Sequence, residues 1–209
     1  MKFLKKLMAK ENILPYSHAR ELASSFSILN CKADQWPFRW IGHTAMIYRD
    51  EETGSVWVYE STQSDHCNGV RLQLFSEWLR DYPGKVWLRR CTIDNKEAAR
   101  IAGRQLQRHI RFFRGMPYPN LKKAKGILFL IRAAWDSVLF KKASTNTATQ
   151  QPGVFFCSQL VAHAYSWAKL VTPGYVPAEF EPKDMESAPH GFEFWLRTGI
   201  KLEAGIRIK

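Results

Sequence analysis

The feature that most constrains the fold is a pair of apolar segments separated by a short polar turn. Residues 39–48 (RWIGHTAMIY) and 55–61 (SVWVYES) flank the sequence DEETG. The second segment alternates apolar and polar side chains, so the two predict a β-hairpin. If residues 50–53 form the turn, His43 lies directly opposite Glu60, with Cβ atoms about 4.5–5.5 Å apart. A register shifted by two residues would keep both side chains on one face but increase the distance between them.

Further helices and short strands are predicted along the chain, whose 209 residues suit a single domain spanning 1–209. The predicted helices are residues 1–30 with a break at Pro15, 74–82, a segment starting at Asp94 and stopped by Gly115 and Pro117, 122–142 and 157–170. The further predicted strands are 85–91, 153–156 and 205–209, and residues 143–152 are predicted to form a polar loop. Asp94 with Glu97 three residues later resembles a capping box.

Cys157 is the candidate nucleophile. It follows the apolar residues Val154, Phe155 and Phe156 and opens a helical pattern, and a helix N-terminus favours the thiolate. A cysteine nucleophile needs a base, and the base needs an orienting group. His43 and Glu60 supply these two residue types. The alternative is that all three are ordinary packing or solvated residues. Their spacing in the sequence alone does not decide between this interpretation and a catalytic role.

Four segments together carry a resemblance to a known family. IGHTAMIY, VYEST, GVRLQLFSEWL with KVWLRR, and FFCSQLVAHAY resemble the permuted papain-like amidases of the NlpC/P60 superfamily, within its YiiX/YebB-like group. The resemblance covers roughly residues 25–185. It departs at PYPN, where Tyr118 is followed by Pro119 and members often have Tyr-Asp. Residues 119–152 also look longer and more basic than in the family, as an insertion would.

The resemblance implies an α+β, permuted papain-like fold, with an antiparallel sheet packed against helices and the cysteine at a helix N-terminus. It implies that Cys157 is the nucleophile, His43 the general base and then acid, and Glu60 the residue that orients His43. The activity implied is that of a thiol hydrolase, which cleaves an amide bond in a peptide, cell-wall or acyl-lipid substrate through a thioester acyl-enzyme.

The four cysteines show no CxxC spacing, so neither a zinc site nor a disulfide framework is predicted. We therefore expect free thiols in a reducing compartment and no metal or cofactor. The N-terminal sequence has no apolar core of a signal peptide. The longest apolar run, residues 126–140, is too short to span a bilayer. These features predict a cytoplasmic protein, with peripheral membrane contact as an option.

Positive charge is concentrated between residues 96 and 142. This segment holds twelve basic and two acidic residues, so it carries ten of the twelve net positive charges. Contact with an anionic membrane surface or glycan is one interpretation, and a merely solvated basic face is the other. Nucleic acid is less favoured because no recognition motif accompanies the charge. A non-catalytic module on a papain-like scaffold that binds anionic lipid or nucleic acid is the alternative to an enzyme.

Several other residues could have either a functional or a structural role. His66 and Cys67 are predicted to lie in a loop, where they could approach the cleft or bind metal, although the plain loop reading is favoured. His163 is expected to be structural, on the side of its helix away from Cys157. Ser158 and Gln159 are expected to contribute through backbone N–H groups. The aromatic residues Trp36, Phe38 and Trp40 are candidates either for a substrate groove or for the core.

Overall fold

The computed structural model describes residues 13–32, 42–64, 67–118, 155–174, 177, 180, 182–186 and 191–209. The helices are α1 (Tyr16–Leu22), α2 (Phe75–Asp81), α3 (Lys96–Phe113) and α4 (Cys157–Trp167), with two 3₁₀ turns at Pro182–Met185 and Phe192–Trp195. The strands are β1 (Ile28–Lys32), β2 (Gly42–Arg49), β3 (Val56–Ser64), β4 (Cys67–Leu74), β5 (Lys85–Arg89), β6 (Cys91–Ile93), β7 (Ile200–Leu202) and β8 (Ile206–Arg207).

Six of these strands form one antiparallel sheet in the order β4-β3-β2-β1-β5-β8, and β6 and β7 form a small separate ladder. Helices pack against the sheet, and α4 contacts β2 and β3 near its centre. The coarse expectation of an α+β fold with an antiparallel sheet packed against helices is therefore confirmed.

Each face of the sheet buries its own apolar cluster, as the period-two alternation of a strand requires. Met46 and Tyr59 pack with the buried residues of α3 and α4 on one face. Ala45 and Val58, one position along, pack on the other face with the buried residues of α1 and α2. The two central strands are thus covered on both sides.

The hairpin is confirmed, but its predicted register is wrong by two residues. Met46 faces Tyr59 and Arg49 faces Val56, so by continuation Glu60 lies opposite Ala45 rather than His43. The turn is longer than four residues because the Asp50 side chain and carbonyl accept hydrogen bonds from residues 52–54. Gly54 completes it with a positive φ of 66°, which glycine adopts without steric cost.

Other boundaries also differ from the prediction. Residues 28–30, expected to be helical, belong to β1, and Cys67, expected in a loop, begins β4. The predicted strand 85–91 is divided between β5 and β6. Helix α3 begins later than expected because its N-cap is Asn95, whose side chain accepts a hydrogen bond from the Ala98 N–H.

Some predictions fall on residues outside those the structure describes. They are the first twelve residues, the helix at 122–142, the loop at 143–152, the insertion at 119–152, and the residues Trp36, Phe38, Trp40 and His66. Phe155 and Phe156 are described and form no strand. In the described ranges no helix combines the length and the apolar character needed to cross a bilayer. All four cysteines are free thiols.

Candidate active site

His43 and Glu60 are joined directly in the centre of the sheet. The imidazole Nε2 lies 2.7 Å from Glu60 Oε2, and the carboxylate side chain is only 2% exposed whereas the imidazole is 20% exposed. Both side chains lie on the sheet face that α2 covers, because they occupy the same alternate positions as Ala45 and Val58. The carboxylate is thus fixed, and it holds one edge of the imidazole while the ring stays partly accessible.

Cys157 is the first residue of α4, and its side chain is buried. The His43 side chain and the backbone at Thr44 and Ser158 lie close enough to this thiol to lower its pKa. Because Glu60 binds Nε2, Nδ1 is the ring nitrogen of His43 left to act on the thiol. The three residues singled out in the sequence are therefore brought together in the order Cys157, His43, Glu60.

Electrostatics in this group favour a charged pair. Burial alone would raise the pKa of Cys157, but the hydrogen bond and charge of His43 hold the pKa of this thiol below its ordinary value. Burial alone would lower the pKa of His43, but its hydrogen bonds with Cys157 and Glu60 raise that pKa well above the usual range. The arrangement therefore stabilises a thiolate beside an imidazolium.

Arg71 is a member of the site that sequence reasoning missed. It lies opposite Glu60 across the β3–β4 ladder, and its Nε and Nη2 donate to Glu60 Oε1 at 2.7 and 2.6 Å. Burial tends to raise the pKa of Glu60, but His43 and Arg71 together keep it below its ordinary value. Arg71 could have been predicted only if β4 had been identified as the strand next to β3. The sequence instead predicts a loop at Cys67, where β4 begins.

Ring contacts and polar anchors hold the group in place. The Tyr82 ring stacks on the His43 ring at 6.3 Å between centroids, and Tyr82 lies near Cys31, the β1 neighbour of His43. The Ser61 hydroxyl donates to the Phe155 carbonyl at 2.6 Å. This last bond ties β3 to the residues directly before Cys157, so the strand that carries Glu60 also positions the start of α4.

Tyr118 also lies close to the nucleophile. Its ring meets that of Phe156 edge-on at 5.6 Å. Burial raises the pKa of Tyr118, and the charge of Cys157 raises it further, so the phenol stays protonated and able to donate.

The side chains of the remaining candidates are bonded to other partners than Cys157. His163 is hydrogen-bonded to His109 at 2.8 Å and packs among aromatic rings. The Ser158 hydroxyl donates to the Phe180 carbonyl, and Gln159 Oε1 accepts from the Phe156 N–H. Across the described residues, His, Cys, Asp and Glu side chains form no group of three or more suited to a metal ion.

Comparison of the chain with models of known protein families gives no match, and comparison with curated proteins gives no significant match. The arrangement of Cys157, His43 and Glu60 is therefore the observation that bears on function.

Proposed function

We propose that the protein is a cysteine hydrolase that cleaves an amide bond through a thioester on Cys157. One observation carries the proposal: a single imidazole, His43, is hydrogen-bonded to the buried Glu60 carboxylate and lowers the pKa of the Cys157 thiol at the start of α4. A nucleophile, a base and an orienting group within hydrogen-bond reach are the minimum for covalent acyl transfer.

In the proposed reaction the Cys157 thiolate attacks the carbonyl carbon of the amide. The His43 imidazolium then gives its proton to the leaving amine, which departs and leaves a thioester. His43, now neutral, takes a proton from water as the water attacks the thioester, and the acid is released with the thiolate restored. Glu60 stabilises the imidazolium in each charged state and keeps Nδ1 directed at the sulfur.

The start of α4 suits the charge that develops on the substrate. The first backbone N–H groups of a helix have no partner within the helix and point out of its N-terminus. The backbone at Thr44 and Ser158 lowers the pKa of Cys157 and so stabilises negative charge on the sulfur before attack. An oxyanion formed on a substrate bound at Cys157 lies next to the same group of donors.

We further propose that the fold is of the permuted papain-like type and that the family is the NlpC/P60 superfamily. The support is the chain order His43, Glu60, Cys157, with the first two on adjacent antiparallel strands and the third opening a helix packed on those strands. A peptide, a cell-wall fragment and an acyl lipid all present the acyl group that this chemistry requires.

Alkylation by iodoacetamide tests the charged pair without knowledge of the substrate. Cys157 should react at mildly acidic pH, where ordinary thiols are protonated, and Cys67, which is partly exposed, serves as the internal control. His43→Ala should bring the reactivity of Cys157 at that pH down to that of Cys67. Equal alkylation of the two cysteines in the unaltered protein would contradict the proposal.

Hydrolysis of p-nitrophenyl acetate then tests the acyl-enzyme. We expect a burst of nitrophenol followed by slower turnover, and a mass increase of one acetyl group on Cys157. Cys157→Ala and His43→Ala should both abolish the burst while thermal unfolding stays close to that of the unaltered protein. Full activity in folded Cys157→Ala would overturn the mechanism.

A further inference from the structure

Helix α3 presents to solvent a face on which basic side chains outnumber acidic ones. Arg104, Arg108 and Arg111 follow one another at helical spacing, and all three are exposed. None forms an ion pair with a described residue. The helix contains one acidic residue, Glu97, and Arg100 already binds it. The Glu51 carboxylate of the β2–β3 turn approaches the helix at Gly103, but the three arginines still outnumber the acidic groups near this face.

Large apolar side chains stand beside these arginines. Phe112 is 64% exposed, Ile101 43% and Trp167, at the end of α4, 40%. The Phe112 and Trp167 rings lie 6.2 Å apart at an angle of 30°. Neighbouring large apolar side chains that are exposed together are typical of a surface that binds a partner. We call the six residues Ile101, Arg104, Arg108, Arg111, Phe112 and Trp167 the α3–α4 surface.

We propose that the α3–α4 surface binds the surface of an anionic phospholipid bilayer. The three guanidinium groups carry the charge that pairs with lipid phosphates and carboxylates. Phe112, Trp167 and Ile101 supply the apolar and aromatic side chains that enter the boundary between headgroups and acyl chains. Single-stranded nucleic acid also pairs cations with aromatics, but it stacks bases on open rings. Ile101 has no ring to stack on a base, and an aliphatic side chain beside the aromatic ones fits the acyl-chain boundary better.

The surface is separate from the candidate active site. Cys157 and Trp167 are the two ends of α4, and a ten-residue advance along a helix is about 15 Å. Lipid binding at the α3–α4 surface therefore does not require the proposed hydrolase activity. The folded Cys157→Ala protein should bind vesicles as the unaltered protein does. The lipid-binding proposal and the hydrolase proposal can therefore be contradicted independently of each other.

Cosedimentation of the full chain with vesicles tests the proposal. We expect binding to phosphatidylcholine vesicles that contain phosphatidylserine, loss of binding without phosphatidylserine, and weakening as salt is raised. Arg104→Gln combined with Arg108→Gln should lower the partition coefficient about 30-fold, because each basic residue near an anionic surface contributes roughly fivefold. Phe112→Ser should weaken binding even at high salt, where charge contributes least.

The matched control removes two arginines from the opposite face of the sheet. Arg20→Gln with Arg80→Gln changes the net charge equally, and both residues are exposed on α1 and α2. This control should bind almost as the unaltered protein does. Equal loss in both double variants would show that net charge alone acts. That result would overturn the proposal, as would absent binding to phosphatidylserine vesicles or tighter binding to single-stranded DNA at the same salt.

Discussion

His43 and Glu60 share a hydrogen bond of 2.7 Å although they are not directly opposed in the sheet. Met46 pairs with Tyr59, so Glu60 continues opposite Ala45 and reaches His43 on the diagonal. Diagonal neighbours on one face are farther apart than direct pairs but remain within reach of long side chains. Glu60 spans this diagonal with one oxygen while Arg71, directly opposite it on β4, binds the other oxygen. Arg71 thus fixes the Glu60 carboxylate, and this carboxylate in turn fixes the His43 imidazole.

Glu60→Gln should make Cys157 less reactive without unfolding the protein. The amide preserves the size of the side chain but removes the charge that stabilises the His43 imidazolium, so the pKa of Cys157 should rise. A rise of about one unit lowers the thiolate fraction at mildly acidic pH about tenfold. The pH dependence of alkylation by iodoacetamide measures this shift. An unchanged profile in the folded variant would show that Glu60 does not act on the charged pair.

Arg71→Met should shift the acidic limb of the pH profile of Cys157 alkylation to higher pH. Arg71 contributes to the lowered pKa of Glu60, so its loss lets this carboxyl take up a proton at a higher pH. The alkylation rate of Cys157 should then begin to fall at a higher pH as the solution is acidified. Arg71→Lys should restore part of the shift, since lysine keeps the charge but not the paired donors. Arg80→Met, on exposed α2, is the control and should leave the limb in place.

The residue types of the site were predictable from the sequence, but the geometry that joins them was not. Side chains alternate between the two faces of a strand, so a register shift of two residues leaves each side chain on the same face. His43 and Glu60 were therefore correctly predicted to share a face although the predicted register was wrong by two residues. The turn length that sets the register depends on hydrogen bonds to Asp50, which spacing does not reveal. Cys157 joins His43 through the packing of α4 on the sheet, a contact between residues far apart in the chain.

The strands β1 and β4 were missed for a related reason. β1 (Ile28–Lys32) is buried at four of its five positions, so it lacks the alternation that identifies a half-buried strand. In β4 the ladder to β3, rather than any local pattern, decides the conformation of Cys67 and Asn68. Arg71 therefore remained unassigned, because its role appears only once its partner across the ladder is known.

His109 should make the protein less stable as the pH falls below about 6.5. Burial on α3 and the nearby His163 lower the pKa of His109 to about 3, while Tyr59 and His163 bond its two nitrogens. Between these pH values the unfolded chain binds a proton that the folded protein does not, so the free energy of unfolding decreases as the pH drops. Urea unfolding across this range measures the slope.

His109→Gln should flatten that slope, because glutamine does not titrate. Carboxylates such as Glu60 contribute to acid sensitivity in both proteins, so the comparison depends on the difference between the two slopes. His18→Gln, at an exposed position of α1, is the matched control and should keep the original slope. Parallel slopes for the His109 variant and the unaltered protein would show that the proton uptake occurs elsewhere.

Gly69→Ala should destabilise the protein far more than Gly54→Ala, although both glycines have positive φ angles of 152° and 66°. A Cβ at Gly69 would lie 2.2 Å from the Met116 carbonyl oxygen, whereas a Cβ at Gly54 meets nothing within 4 Å. The segment before Tyr118 runs along β4 here, with the Val70 N–H donating to Met116 and the Gly115 N–H to Val70. We expect a loss of about 2–3 kcal/mol at Gly69 from strain and displaced backbone bonds, against about 1 kcal/mol at Gly54. Midpoints of urea unfolding with equal slopes measure both, and equal losses would mean that the approach of residues 115–117 to β4 contributes no stability.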